Sequence, residues 1–156
     1  MILESANRKL GVVIMHENKD IVQYINEVNA GLSEGTEESS IVTELQMHKM
    51  LFLIYGRFYN HYNIELWQPN FEAWKYGPVE TNYRHNLELV KPIDIDQLSI
   101  DQKNQLKKMI IKLLGFSVWE LVDYTHTLDS WKNHYEKKDK VISAKEIQDE
   151  FARIFF

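Results

Sequence analysis

The chain has 156 residues and a mass of 18.6 kDa, and this length favours a single domain, residues 1–156. With 44% apolar residues, 26% charged residues and no cysteine, it is neither a disordered chain nor a disulfide scaffold, and it has no thiolate metal site or cysteine nucleophile. The net charge of −5 disfavours nucleic acids and anionic membranes as partners, because both bind mainly through Lys and Arg.

The beginning of the chain has no pattern typical of a secretion signal or a membrane span. Its longest apolar run is Val12–Met15, which is far too short for either. We therefore expect a soluble protein of the cytoplasm.

Residues 1–40 are predicted to form an acidic N-terminal extension, since they carry three basic and seven acidic residues. Apolar residues at helical spacing predict a helix over 20–29: Ile21, Val22, Ile25 and Val28. The small, polar and acidic residues 31–40 predict a loop. This loop separates the extension from a helical domain at 41–155.

Residues 41–62 are predicted to form a buried central helix, because two apolar stripes run side by side along it. The first stripe consists of Leu45, Phe52, Tyr55, Tyr59 and Tyr62. The second consists of Met47, Leu51, Ile54 and Phe58. One mostly polar side is predicted at Gln46, Lys49, Leu53, Arg57 and Asn60.

Between Trp67 and Pro78 the sequence pattern is not helical. Two short alternating runs, 64–66 and 71–73, predict a β-hairpin near residues 64–76. Pro78 is predicted to open the following helix at its first position.

Three later helices are predicted from capping boxes, in which a Ser side chain and a Gln or Glu side chain three residues later each accept a bond from a backbone N–H. The pairs are Ser99 and Gln102, Ser117 and Glu120, and Ser143 and Glu146. Gly115 is predicted to end the first of these helices in the left-handed conformation. The fold class is therefore all-α, with about six or seven helices around the central helix and one short β-hairpin.

No enzyme motif occurs in the sequence, which has neither a glycine-rich phosphate loop nor a His-Glu-x-x-His zinc helix. An enzyme would have to use His126 and Thr125 with Asp123 or Lys75. We expect a protein that is not an enzyme and has no catalytic residue, metal or cofactor.

The segment Phe71–Val79 contains two large aromatic residues that flank a lysine and precede a Gly-Pro pair. Trp and Tyr beside a cation are residue types of binding hot spots. The segment predicts a partner-binding surface at Trp74, Lys75, Tyr76, Gly77 and Pro78. In the alternative interpretation, Trp74 and Tyr76 pin a turn to the core.

A second segment, 119–132, carries Thr125 and His126 near a predicted helix end, where the helix dipole favours a charged histidine. Trp131 follows a predicted N-cap at Asp129 or Ser130. A binding role for Thr125, His126 and Trp131 and a plain core helix with its cap both stay open.

These two segments and the central helix resemble the Panacea domain family, small proteins often described as phage-associated or SocA-like antitoxins of bacterial and phage toxin–antitoxin systems. The resemblance covers residues 41–155. In the family's first motif, which corresponds here to Met47–Gly56, Lys49 and Leu51 agree and His48 replaces a glutamine. The central motif corresponds to Glu72–Val79.

The family's Leu-Thr-His motif, which a Trp follows, corresponds to Tyr124, Thr125 and His126 with Trp131. The resemblance implies a helical domain that neutralises a toxin, encoded next to it, by direct protein contact. It also places Lys49 among the candidate partner-binding residues.

Two other functions stay open beside the antitoxin. The first is an adaptor that delivers a bound partner to a protease, a role also associated with relatives. The second is a DNA-binding autoregulator that uses the basic residues Lys103, Lys107, Lys108 and Lys112, which the net charge disfavours. The acidic extension suggests that a toxin surface would be basic, since opposite charge speeds encounter.

Overall fold

The computed structural model describes residues 18–34 and 41–154, which form a mainly helical fold with a small three-stranded antiparallel sheet. In chain order its elements are α1 (Ile21–Leu32), α2 (Glu44–Tyr62), β1 (Phe71–Trp74), β2 (Gly77–Glu80), α3 (Thr81–Arg84), a 3₁₀ turn (Ile95–Gln97), α4 (Ile100–Leu114), α5 (Val118–His126), α6 (Asp129–Tyr135), β3 (Val141–Ile142) and α7 (Ala144–Phe151). The predicted mainly helical class with a short β element is confirmed. Within these residues, no helix is long and apolar enough to cross a membrane.

The long helix α2 is the centre of the fold, as predicted, and it packs against α4, α5, α7 and β2. Its Gly56 lies against the ring of Phe151 in α7, where a larger residue would have no room. The predicted polar side is wrong at Lys49 and Leu53, which are both buried. Lys49 is covered by Pro78 of β2, and Leu53 borders a groove between α4 and α5.

All three predicted capping boxes are present, at the starts of α4, α5 and α7. The prediction for Gly115 is wrong, because it has a right-handed φ of −76°. The chain continues the helical turn there, with the Gly115 and Phe116 N–H groups donating to carbonyls three residues earlier. It therefore needs no left-handed residue before the next helix begins.

The β-hairpin is present, but its second strand differs from the predicted one. β1 pairs with β2 rather than with residues 64–66, in a register that places Phe71 opposite Glu80. Residues 64–66 instead lie beside the segment around Ile93, whose N–H donates to the Leu66 carbonyl. Pro78 lies in β2 and does not open a helix. β2 is an edge strand of the sheet, where proline is tolerated.

The predicted helix at 20–29 is confirmed as α1, which Asp20 caps and which packs against α4 and α2. The predicted loop 31–40 is wrong at its start, because Gly31 and Leu32 still belong to the helix. Ser33 is the C-cap of the helix, and its hydroxyl donates to the Asn29 carbonyl. The remaining loop residues 35–40, and residues 1–17 of the extension, lie outside the described residues. The division of the chain at residue 40 stays a prediction.

Candidate functional site

The hairpin between β1 and β2 turns through residues 75–76 and then meets Gly77, whose φ is 107°. Glycine adopts this positive φ at little cost, whereas other residues are strained there. The space at this position is also closed. A Cβ on Gly77 would lie 2.6 Å from Thr125 Oγ1 and 2.9 Å from Lys49 Cε. Backbone conformation and packing therefore both require glycine at the end of the turn.

Lys49 reaches the hairpin from α2 and is fully buried. Its Nζ donates to the Pro78 carbonyl oxygen at 2.7 Å. Burial lowers the pKa of the Lys49 amine to about 7, since the charged form loses its hydration inside the protein. Lys49, which was predicted on the polar side of the central helix, thus holds the second strand of the hairpin in place.

Raising the pH from about 7 to about 9 is expected to raise the free energy of unfolding by about 2 kcal/mol. In the unfolded chain the Lys49 amine keeps its proton up to its ordinary pKa of 10.5, whereas the folded amine loses it near pH 7. The unfolded state therefore binds more protons across this window, and a rise in pH favours the folded state. Urea unfolding at both pH values measures the change.

The control for this prediction is Lys49→Met, which keeps an unbranched side chain of similar length but cannot titrate. Most of the rise in stability should be absent from this variant. An equal rise in the wild type and in Lys49→Met would show that another group causes it.

Two further side chains hold the first half of the turn. His126, at the end of α5, donates from Nε2 to the Lys75 carbonyl at 3.0 Å. Trp131 of α6 donates from Nε1 to the Trp74 carbonyl at 2.8 Å. The rings of His126 and Trp131 stack at 4.2 Å between centroids, and Tyr135 continues the stack at 4.7 Å. The end of α5 and the start of α6 thus clamp the turn from one side.

Two of the groups proposed for an alternative enzyme, Thr125 and His126, bond to the backbone in this structure. The Thr125 hydroxyl is fully buried and donates to the Val122 carbonyl at 2.9 Å. His126 uses its Nε2 on the hairpin, as described. Asp123 is exposed. No hydrogen bond joins the Asp123, Thr125 and His126 side chains to one another in the described part of the chain.

The aromatic side chains of the turn face solvent. Trp74 is 37% exposed and Tyr76 is 46% exposed. Tyr76 meets Trp119 of α5 edge to face at 5.7 Å, and Trp119 is itself 55% exposed. Lys75 extends over the Tyr76 ring at 5.4 Å. Trp74 and Tyr76 therefore do not pin the turn to the core, since the three helix side chains described above do so. We call Trp74, Lys75, Tyr76 and Trp119 the aromatic surface.

A groove of about 390 Å³ runs beside the aromatic surface, between the hairpin and the start of α2. Its walls are mainly apolar, formed by Leu45, Trp74, Tyr76 and Val79. Glu44 and Arg84 also line the groove and form an ion pair at 3.3 Å. The groove and the aromatic surface together offer apolar contact area bordered by charge.

His48 also lines this groove and ties α2 to the end of β2. Its Nδ1 accepts from the Glu80 N–H at 3.1 Å, so Nε2 carries the proton and donates to Glu44 Oε2 at 3.2 Å. Burial lowers the pKa of His48, which keeps the ring neutral as this pattern requires. A glutamine, the residue of the family pattern, can likewise donate and accept.

All nine predicted partner-binding residues lie at this one hairpin, but they divide into two groups. Trp74, Lys75 and Tyr76 present their side chains to solvent. The other six support the hairpin from within or beside it: Lys49, Gly77, Pro78, Thr125, His126 and Trp131. Whether the exposed three contact a partner stays a prediction.

Two residues of this region, Trp119 and Glu150, were not predicted from the sequence. Trp119 does not fall on the apolar stripe through Leu121 and Leu128, and this offset is the sign that could have marked it as exposed. For Glu150 of α7, nothing in the neighbouring sequence indicated that it caps another helix. It accepts from the Asp129 N–H at 2.5 Å and from the Ser130 N–H at 3.0 Å, and so caps α6 from a distant helix.

This cap corrects the prediction that Asp129 or Ser130 is the N-cap of the helix that carries Trp131. The N-cap is Leu128, which makes no side-chain bond to the helix. An apolar residue can take the position because the Glu150 carboxylate accepts from two of the first N–H groups of the helix, which have no carbonyl partner within it.

The comparisons with known proteins give one family and no individual relative. No curated protein and no solved structure matches the chain. The family described as antitoxin SocA-like, Panacea domain, matches residues 47–132, which is more than half of the chain. The matched range contains Lys49, the whole hairpin and the clamp of His126 and Trp131. The chain therefore belongs to the SocA-like antitoxin family with a Panacea domain.

Proposed function

We propose that this protein is an antitoxin that neutralises a cognate toxin by binding it directly at the aromatic surface and the adjoining groove. One observation carries the proposal. Side chains from three helices hold the backbone of the turn, while Trp74 and Tyr76 stay exposed. Family membership supports a toxin as the partner.

The geometry supports binding because the turn is ordered before a partner arrives. Association normally costs free energy for ordering loops and side chains at the interface. Here Lys49, His126 and Trp131 already fix the carbonyls of the turn. Tryptophan and tyrosine, which the turn presents, are enriched among residues that dominate binding energy.

We propose a binding role without catalysis. A toxin held by contact needs a shaped surface and no reacting group. The bonds of Thr125 and His126 to backbone carbonyls support this role, since the Thr125 bond stays within α5 and the His126 bond holds the hairpin.

Expression of the protein encoded next to this chain tests the proposal. Induced alone, that neighbour should arrest growth, and co-expression of this chain should restore growth and yield a complex on purification. The toxin should persist in that complex. Growth that is restored while the toxin disappears would favour the protease adaptor instead. An absence of toxicity and of any co-purifying protein would contradict both.

Trp74→Ala and Tyr76→Ala are each expected to weaken binding of the toxin at least tenfold, which corresponds to about 1.4 kcal/mol. Both side chains are substantially exposed, so their loss should leave the melting temperature nearly unchanged. Titration calorimetry with the purified toxin gives the affinity, and thermal melting gives the stability.

Ile100→Ala is the matched control, because Ile100 is 83% exposed at the start of α4. It should neither weaken binding nor lower the melting temperature. Early melting of Tyr76→Ala by several degrees would assign Tyr76 to the fold. Normal melting with normal binding would remove the aromatic surface from the interface.

A further inference from the structure

Helix α5 carries an exposed carboxylate beside the aromatic surface. Asp123 follows Trp119 by four positions, and both side chains are exposed. Residues four positions apart on a helix are neighbours on its surface, with about 5–6 Å between their Cβ atoms. The Asp123 carboxylate and the Trp119 indole therefore lie side by side on the helix whose Trp119 meets Tyr76 of the turn.

No cation within the chain neutralises Asp123. No ion pair or hydrogen bond joins its carboxylate to another of the residues that the structure describes. Helix α5 contains no lysine or arginine, and its histidine, His126, bonds to the hairpin. Glu120 adds a second carboxylate three positions before Asp123, and like charges at this spacing destabilise a helix.

The helix dipole accounts for only one of these two acidic residues. Glu120 lies in the first turn of α5, where the dipole favours a negative charge, and its carboxylate accepts from the Ser117 N–H as part of the capping box. Asp123 lies beyond that turn, where the dipole effect has faded. The position of Asp123 beside the aromatic surface therefore needs another reason.

The ring of Trp119 is available to a cation from another molecule. Within the described ranges 18–34 and 41–154, no lysine or arginine lies over this ring. The cation of the aromatic surface, Lys75, lies over the Tyr76 ring instead. Among the aromatic side chains, tryptophan attracts a cation most strongly. Trp119 and Asp123 thus offer two neighbouring groups that both favour a positive charge.

We propose that the partner bound at the aromatic surface places an arginine side chain here, with its guanidinium stacked on Trp119 and paired with Asp123. Arginine fits both groups better than lysine, because the planar guanidinium stacks on aromatic rings and can donate two parallel bonds to a carboxylate. The toxin segment is then basic, which deepens the proposed function and rests on it. The net charge of −5 also speeds the approach of a basic protein.

An acidic partner fits this surface less well. The Lys75 amine already lies over Tyr76, and Arg84 beside the groove is paired with Glu44 at 3.3 Å. An acidic segment would also meet the Asp123 carboxylate, and like charges opposed across an interface weaken binding. The same repulsion disfavours a nucleic acid, whose phosphates are negative.

The test uses a short peptide of alternating glycine and arginine, with glycine–lysine and glycine–glutamate peptides as control probes. The chain has four tryptophans, whose indole N–H groups are followed separately by NMR. The arginine peptide should shift the indole signal of Trp119, which Trp119→Phe identifies, and leave that of the fully buried Trp67 in place. The lysine peptide should bind about threefold more weakly, since lysine does not stack on the ring. The glutamate peptide should cause no shift.

Two variants separate the paired contact from general attraction. Asp123→Lys should reduce the affinity for the arginine peptide about tenfold, because the carboxylate that accepts from the guanidinium is replaced by a cation. The matched control, Asp149→Lys, makes the same change at an exposed aspartate of α7, outside the aromatic surface, and should leave the affinity nearly unchanged. Trp119→Ala should remove the preference for arginine over lysine. Thermal melting ensures that folded proteins are compared.

The inferred arginine site would be overturned by an unshifted Trp119 signal or by an equal loss of affinity in the two aspartate variants. A shift caused by the glutamate peptide would assign the surface to an acidic partner. With the purified toxin, normal binding to Asp123→Lys but weak binding to Trp74→Ala and Tyr76→Ala would contradict the arginine site alone. Normal binding to all three variants would contradict the proposed interface and the arginine site together.

Discussion

Replacing Gly77 with alanine is expected to lower the free energy of unfolding by about 2–5 kcal/mol. Two costs add at this position. The φ of 107° strains any residue with a side chain, and the new Cβ would lie within 3 Å of both Thr125 and Lys49. Urea unfolding followed by circular dichroism measures the loss. The same variant should bind the toxin weakly, because the turn that carries the aromatic surface is displaced.

Gly31→Ala is the matched control for this prediction. Gly31 lies inside α1 with nothing within 4 Å of the new Cβ. Alanine favours a helix over glycine by about 0.5–1 kcal/mol, so this variant should be as stable as the wild type or more stable. A similar loss in both variants would show that the closed space and the positive φ at Gly77 are not the cause.

The second large effect is expected for Glu80→Leu, with a loss of about 3–5 kcal/mol in the free energy of unfolding. The Glu80 carboxylate is buried at the end of β2 and accepts from Trp67 Nε1 at 2.7 Å. It also accepts from the backbone N–H groups of Asn70 at 3.0 Å and Asn82 at 2.8 Å. Leucine would leave these donors without their acceptor. Chemical unfolding at neutral pH gives the size of the effect.

Glu72→Leu provides the comparison for Glu80, since both glutamates belong to the same hairpin. The Glu72 carboxylate accepts from Trp74 Nε1 at the surface, so its loss should change stability by less than about 1 kcal/mol. Glu80→Gln should fall between the two, because its amide oxygen can still accept. Equal effects of Glu72→Leu and Glu80→Leu would mean that the buried network does not stabilise the hairpin.

The starts of α4, α5 and α7 were predictable because their determinants are local. Each of the three capping boxes joins residues only three positions apart, and all three are present. The central position of α2 was also predictable, since its apolar stripes record burial directly in the sequence. Contacts along one helix, or between residues close in sequence, produce a pattern that can be recognised in a single amino-acid sequence.

The second strand of the hairpin was not predictable from alternation. All four residues of β2 are buried, so the strand has no alternation of polar and apolar residues to recognise. Its Gly-Pro start also fits a turn that opens a helix. The strand depends on its pairing with β1 and on the cover that α2 provides, which the local sequence does not record.

The residues around the hairpin could be named from the sequence, but the sequence did not show which of them are exposed and which support the hairpin. The residue types around Trp74 and Tyr76 indicated an exposed surface, and these side chains are exposed. Lys49 looked like a solvated residue because its acceptor, Pro78, lies 29 positions away. Glu150 was missed for the same reason, since it caps residues 20 and 21 positions away. A polar side chain that meets a distant backbone group cannot be told from a surface residue by local spacing.

The cap that Glu150 provides also affects when, during its synthesis, the chain becomes able to bind a partner. The hairpin leaves the ribosome early, but its clamp includes Trp131, in a helix whose first N–H groups are satisfied by a residue made about twenty positions later. A nascent chain that ends before Glu150 therefore has its full hairpin sequence without the finished clamp. If the hairpin is the binding surface, its activity should begin only once translation has passed α7.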